Sequence, residues 1–225
     1  EIAAQTQWDI ISRKKDGFDI TDPNTFELLT KVEFGSIQYC PHDIIINCIA
    51  NTDTYSDDRE SHWNTNYKGL SDLVDFCNRW KKKLVHISTD YVYANSDNFA
   101  SELSVPVHCK NWYGYTKLLG DGHVQLKSNN HLLIRCTHKP TPFAHKKAWI
   151  DQIGNFDYVN NIASLIIQLV NKNCSGTFNV GTDLKSMYDL SLTSNPDVTS
   201  TLKPDHVPQN LTMDVTKLNN ELTNE

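Results

Sequence analysis

The chain has 225 residues and a mass of 25.7 kDa, with 39% hydrophobic residues, 21% charged residues and a formal net charge of −6. That length supports a sizeable core in one domain or slightly more, and 9 Gly with 8 Pro exclude a fibrous or low-complexity chain. No apolar run reaches the ~18 residues of a membrane helix, no basic-then-apolar leader opens the sequence, and an acidic balance without a Lys/Arg block argues against duplex binding.

The expectation is therefore a cytoplasmic protein with neither a nucleic-acid nor a membrane partner. The sequence opens on Glu1 rather than Met, which reads as an entry past the beginning of a longer chain. The cysteines are Cys40, Cys48, Cys77, Cys109, Cys136 and Cys174. They form no C-x-x-C pair and no Cys/His cluster with zinc spacing, so reduced thiols and no metal site are expected.

Along the chain, residues 8–12 read as a short strand. Asp22-Pro23 opens a helix, because Asp22 suits the N-cap and Pro23 the first helical position. Phe26, Leu28, Leu29 and Val32 form its predicted buried side. Residues 43–47, 84–88 and 132–136 are near-continuous apolar runs, too short for ordinary helices. Apolar character on both faces is the pattern of a buried parallel strand. Between the first two, Leu70, Leu73, Val74, Cys77 and Trp80 recur at three- and four-residue spacing and predict an amphipathic helix. Lys81, Lys82 and Lys83 are expected to close it, since positive charge suits a helix C-terminus. Strand, helix and strand in this order predict right-handed βαβ units in a parallel sheet.

Past Arg135 the pattern changes. Residues 139–142 read as extended and irregular. Residues 161–170 predict a helix with Ile162, Leu165, Ile166 and Leu169 on one face, and 176–180 a strand. The tail from residue 194 is rich in Ser, Thr, Asn and Pro and is expected to be mostly loop. His138, His145 and His206 fall in predicted loops and read as surface residues.

Four segments carry candidate chemistry. Ser88-Thr89-Asp90-Tyr91 follows the C-terminal end of a predicted parallel strand, where open α/β sheets bind ligands. Its hydroxyls can donate to a substrate oxygen; the plain alternative is a helix cap or turn. In Tyr113-Gly114-Tyr115-Thr116-Lys117, Tyr113 and Lys117 share a helix face. An ammonium near a phenol lowers the tyrosine pKa from about 10 and makes it a usable general acid near neutral pH. The alternative is an exposed helix pair. Asn47-Cys48-Ile49-Ala50-Asn51-Thr52 is a polar turn that lets a ligand approach the backbone, or an ordinary βα loop. Arg13 and Lys14 can meet a phosphate, and Asp19 or Asp22 a base amine; the alternative is surface charge.

The order of these segments resembles the extended short-chain dehydrogenase/reductase superfamily, in its dTDP-4-dehydrorhamnose reductase (RmlD-like) branch. Asp19-Ile20-Thr21-Asp22 resembles that branch's D-I-T-D segment, and Asn47-Cys48-Ile49-Ala50-Asn51-Thr52 loosely resembles its N-A-A-A-x-T turn. Thr65-Asn66-Tyr67-Lys68-Gly69 is similar to V-N-x-x-G, and Ser88-Thr89-Asp90-Tyr91-Val92-Tyr93 to S-T-D-Y-V-F. Tyr113-Gly114-Tyr115-Thr116-Lys117-Leu118-Leu119-Gly120-Asp121 is similar to Y-G-x-S/T-K-L-x-G-E. Weaker likenesses continue through Gly176 and Gly181 to the stretch from Pro208 to Leu218.

The resemblance implies an α/β fold, a Rossmann-type doubly wound parallel sheet, N-terminally truncated, with a small C-terminal α/β substrate-binding region. Residues 1–136 would form the NADP(H)-binding domain and 137–225 mainly the substrate region, with a return of 155–181 to the first domain left open. The implied reaction is NADP(H)-dependent reduction of a nucleotide-linked 4-keto-6-deoxy sugar, as in dTDP-rhamnose biosynthesis. Tyr113 would protonate the sugar O4, Lys117 would hold the nicotinamide ribose, and Thr89 would hydrogen-bond the carbonyl, with Asp90 beside it toward substrate. Asp19 and Ile20 would contact adenine, Ala50 and Thr52 the cofactor's ribose or phosphate side, and Arg13 an NADP 2′-phosphate. A non-catalytic regulatory or binding subunit, or an epimerase or dehydratase of the same superfamily, is the alternative. A homodimer is left open.

Two departures stand out. The family's glycine-rich βα turn has no counterpart, because Gly120-Asp121-Gly122 follows Lys117 on a helix rather than a strand. The 225 residues by themselves are therefore expected not to bind NADPH tightly. After Arg135 the family's T-S-W-V-Y-G is replaced by Cys136-Thr137-His138-Lys139-Pro140.

Overall fold

A computed structural model describes residues 1–33, 37–104 and 111–223. Chain contacts divide it into two compact units. One comprises Trp8–Ser88 and Lys110–Leu133, the other Glu1–Gln7, Thr89–Cys109 and Ile134–Glu225.

The first unit is built on strand β1 (Ile44–Asn47), helix α1 (Gly69–Arg79), strand β2 (Lys83–Thr89), helix α2 (Trp112–Lys127) and strand β3 (His131–Cys136). The predicted α/β alternation is present. Strands β1 and β2 pair in parallel, with Ile44 opposite Lys83 and Asn47 opposite His86, and β3 lies on the other side of β2. The apolar positions of α1 face inward: Leu70, Leu73, Val74 and Cys77 pack with Leu84 of β2, Val124 of α2 and Phe18, Ile20, Phe26 and Leu29.

Three expectations in this unit are corrected. Residues 8–12 form no strand, and Ile10 is 59% exposed. Backbone polar groups need partners, and here Ser12 N donates to Asp16 Oδ2 at 2.8 Å while Ser12 Oγ caps the turn Arg13–Asp16. Second, Asp22 does cap a helix, but Pro23–Leu29 is a 3-10 helix. Its three-residue repeat aligns Phe26 with Leu29; Leu28 and Val32 are exposed, and Val32 belongs to a hairpin of Lys31–Glu33 and Ile37–Tyr39. Third, the lysines do not form the end of α1 together. Lys81 is left-handed (φ 54°), and Lys82 N donates to Cys77 O at 2.8 Å, as in a Schellman termination. The chain turns so sharply there that Lys83 already opens β2 and is buried.

In the second unit, helix α3 (Val159–Asn171) buries Ile162, Ala163, Ile166, Leu169 and Val170, and strand β4 (Gly176–Asn179) runs toward Val180, whose N donates at 2.9 Å to Arg135 O, in the part of β3 from Ile134 on that belongs to this unit. Phe143, Phe156, Tyr158, Met187, Leu190 and Val198 form a separate core cluster. His138 starts a two-residue strand, His138–Lys139, parallel to Asp157–Tyr158, rather than a loop. The tail is more ordered than its composition suggests. Thr199–Thr201 pairs with Lys147–Trp149, Asn210–Leu211 pairs with Ile153–Gly154, and Thr216–Thr223 is helical. Its polar residues find backbone partners on strand edges that local sequence does not reveal. Among the described residues no helix is long and apolar enough to cross a membrane.

Candidate functional site

Helix α2 begins where Asn111, in extended conformation, accepts Gly114 N on Oδ1 at 2.7 Å. This cap satisfies one of the helix's first free N–H groups and places Tyr113 and Lys117 one turn apart. Lys117 is 1% exposed. Its Nζ donates to Ile87 O at 2.8 Å and lies 3.2 Å from His86 Nε2. Burial, and then the charge of Lys117, hold the His86 imidazole well below its usual titration range. Tyr113 is half-buried, with its ring edge-on to His62 at 6.4 Å between centroids.

A second hub supports this helix. Trp63–Lys68 is a π-helical turn between Arg59–His62 and α1, a feature that often marks functional sites. From it Asn66 accepts Asn51 N on Oδ1 at 2.8 Å, and donates to Asn51 O at 3.1 Å and Thr116 Oγ1 at 3.2 Å. Asn66 thus pins both backbone polar groups of Asn51, in the turn that follows β1, and ties them to α2. Two glycines permit the approach. A Cβ on Gly120 would meet Leu70 Cδ2 at 2.8 Å and Asn66 O at 2.9 Å; one on Gly69 would meet Ile20 O at 2.4 Å. Gly69 and Gly120, the last glycine of each matched segment, are therefore packing requirements.

In the second unit Thr89 uses its hydroxyl locally. Thr89 Oγ1 accepts Tyr91 N at 3.2 Å and donates to Asp90 Oδ1 at 3.4 Å. Asp90 is fully buried, and its Oδ1 also accepts the Thr137 hydroxyl in a short bond. Asp90 Oδ2 has no hydrogen-bond partner among the described residues. Burial pushes the Asp90 carboxyl up to about 6, against the opposing pull of Thr137, Lys139 and Thr89.

The remaining candidates divide. Arg13 and Asp19 meet in an ion pair at 2.9 Å, with Arg13 81% exposed. Hydrogen bonds from the Thr21 backbone and side chain, then the Arg13 charge, hold the Asp19 carboxyl below the usual range despite some desolvation. The Ile20 side chain belongs to the core at 2% exposure. Ala50 is half-buried and Thr52 exposed in the turn after β1. Sequence reasoning did not single out His86, His62 or the hub role of Asn66. A histidine inside an apolar strand was the available signal for His86. Among the described residues no group of three or more His, Cys, Asp or Glu could hold a metal, and the cysteines found there are free thiols; Cys109 lies outside them.

A parallel β-α-β unit with a buried lysine one helical turn from a tyrosine defines an α/β, Rossmann-like protein. Residues 1–138 match the model of the RmlD substrate binding domain, and the chain belongs to that family. It is 26% identical over 158 residues to a dTDP-4-dehydrorhamnose reductase of Mycolicibacterium smegmatis, covering 57% of this chain and 45% of the relative. A probable low-salt glycan biosynthesis reductase of Haloferax volcanii is 26% identical over 186 residues, covering 72% and 59%. The chain thus spans about half the length of the curated relatives it matches. A dTDP-4-dehydrorhamnose reductase of Bacillus anthracis, solved with NADP, superposes with a TM-score of 0.77 at 20% identity over 97% of this chain and 88% of that one. A hypothetical dTDP-4-dehydrorhamnose reductase of Sulfolobus tokodaii superposes at 0.73 with 20% identity, over 92% and 81%. These superpositions establish the Rossmann-like fold.

Proposed function

We propose that this chain is the catalytic core of an NADP(H)-dependent reductase acting on a nucleotide-linked 4-keto-6-deoxy sugar. The observation that carries the reading is Lys117, buried and bonded to the Ile87 carbonyl, one turn from half-buried Tyr113 on α2. The curated relatives, reductases by name, and the NADP complex of a structural neighbour support the same reading.

The residues present fit such a cofactor. Arg13 keeps an exposed guanidinium for a 2′-phosphate. The Ser88 Oγ near the end of β2 is buried without a partner among the described residues. NADPH, when bound, supplies the hydride. Tyr113 delivers the proton to the sugar O4, Lys117 holds the nicotinamide ribose, and Thr89 hydrogen-bonds the carbonyl that is reduced. Asp90, fully buried, accepts the Thr89 hydroxyl and positions Thr89 toward substrate, and Asp19, the Ile20 backbone, Ala50 and Thr52 complete the cofactor contacts.

The test is turnover of a dTDP-linked 4-keto-6-deoxy sugar with NADPH, in the protein with its natural termini. Tyr113→Phe is expected to lower turnover by about 10²- to 10⁴-fold, the range for loss of a general acid, with NADPH binding unchanged. Undiminished turnover would remove Tyr113 as the acid. Absence of turnover in the unsubstituted protein would favour a non-catalytic binding role.

A further inference from the structure

Behind Lys117 lies a buried chain of side chains that the reaction above does not use. His86 is 1% exposed, with Nε2 3.2 Å from Lys117 Nζ and Nδ1 3.2 Å from Asn47 Nδ2. Asn47 and His86 are direct partners in the parallel pair of β1 and β2, so their side chains leave the same face side by side. Asn47 Oδ1 accepts Ile49 N at 3.0 Å, which turns its Nδ2 toward the ring.

Around this ring the protons are one too many. A neutral imidazole has one donor nitrogen and one acceptor nitrogen. His86 is neutral because burial, reinforced by the charge of Lys117, disfavours a second positive charge. The Lys117 ammonium offers an N–H to Nε2, and the Asn47 amide offers one to Nδ1. The ring can accept only one of them. A hydrogen bond from an ionised donor is roughly twice as strong as one between neutral groups. The ammonium therefore claims Nε2, the ring proton stays on Nδ1, and Asn47 yields: turning its carboxamide to accept from Nδ1–H gives up the neutral bond from Ile49 N, a smaller loss than that of the charge-assisted bond.

We propose that His86 is a positioning residue for Lys117: in its Nδ1–H form, it and the Ile87 carbonyl fix the direction of the lysine ammonium. A lysine head on a flexible four-carbon stem carries three rotatable donors. Two acceptors on one rigid strand remove much of that freedom. The catalytic meaning of this bond rests on the reading of Lys117 given above; the bond itself does not.

The experiment is ring-nitrogen NMR of the 225-residue chain labelled with ¹⁵N-histidine, at neutral pH and without cofactor. His86→Gln identifies the signal among nine histidines. The unsubstituted chain is expected to show Nδ1 protonated and Nε2 bare. Lys117→Met is expected to move the proton to Nε2, because the Asn47 amide is then the stronger remaining donor. Asn47→Ala is expected to leave Nδ1–H in place, and this variant decides the matter if Lys117→Met does not fold. An Nε2–H ring in the unsubstituted chain, an unmoved proton in folded Lys117→Met, or a switch in Asn47→Ala would each overturn the assignment.

A kinetic arm uses the protein with its natural termini. His86→Leu is expected to raise the KM for NADPH about tenfold, as loss of one charge-assisted bond would. His86→Gln, whose Oε1 can accept from the ammonium, is expected to recover most of that. Equal defects in both variants would overturn the positioning role. A confirmed tautomer switch together with undiminished turnover of Tyr113→Phe would instead locate the error in the proposed reaction.

Discussion

Lys117 and Asp90 are both buried ionisable side chains, one in each unit, and their surroundings treat them oppositely. Lys117 donates to a carbonyl and lies within reach of an imidazole nitrogen, groups suited to an ammonium. Asp90 has hydroxyls on one oxygen only, and its other oxygen has no partner among the described residues. Burial pushes the carboxyl up to about 6, and the bonds to Thr137 and Thr89 with the charge of Lys139 offset only part of that. Burial disfavours the charged form of either group. The number and type of hydrogen-bond partners set how much of that penalty is offset.

The largest expected effect breaks the comparison on the acidic side. The native Asp90 carboxyl titrates near 6, against about 3.9 in an unfolded chain. The folded state therefore holds this proton more tightly. Its contribution to stability is greatest below about pH 4, falls as pH rises to about 6 and is level above that. A shift of about two units corresponds to about 3 kcal/mol. Asp90→Asn is expected to raise stability at pH 7.5 by up to that amount and to remove the decline, read from denaturant midpoints at pH 4 and 7.5. A decline that persisted in the variant would show that Asp90 is not its source.

On the basic side the sign is opposite. Lys117→Met leaves Ile87 O and an imidazole nitrogen buried with fewer donors, and is expected to cost about 2 kcal/mol at pH 7. A stabilised variant would show that Lys117, like Asp90, is a burden to the fold. Gly120→Ala asks whether close helix approach sustains the lysine's placement. The added Cβ meets Leu70 Cδ2 at 2.8 Å and the Asn66 carbonyl at 2.9 Å. Overpacking outweighs the gain in helix propensity, for a net loss of about 1 kcal/mol, checked by thermal unfolding. The smallest effect belongs to the exposed pair of Arg13 and Asp19. Arg13→Ala is expected to change stability by less than about 0.5 kcal/mol. By calorimetric titration of the protein with its natural termini, it should weaken NADPH far more than NADH. Equal weakening would remove Arg13 from the 2′-phosphate.

The readable parts of the sequence were those whose local pattern agrees with their tertiary fate. Leu70, Leu73, Val74 and Cys77 share a stripe that can only be buried on one side, and they are. The apolar runs through Ile45, Val85 and Leu133 are too short for helices and too apolar for surface. Tyr113 and Lys117 share a face by helix geometry alone. Residues 8–12 misled because an apolar run becomes a strand only beside a neighbour, and Ser12 found Asp16 instead. Leu28 and Val32 misled because a 3-10 turn and a hairpin replaced the expected α-helix. Ile20, next to Asp19 in a site-like segment, puts its side chain in the core.

The sequence by itself determined the alternation of strands and helices, the family, and the tyrosine–lysine face of α2. Each follows from a period or a motif spanning a few residues. Only the tertiary structure decided that Asn47 stands opposite His86, that His86 reaches Lys117, and that Asn66 grips Asn51 and Thr116. Those contacts join residues up to 50 positions apart. They depend on strand register and on helices closing over two glycines, and no local pattern encodes how distant segments share donors, acceptors and space.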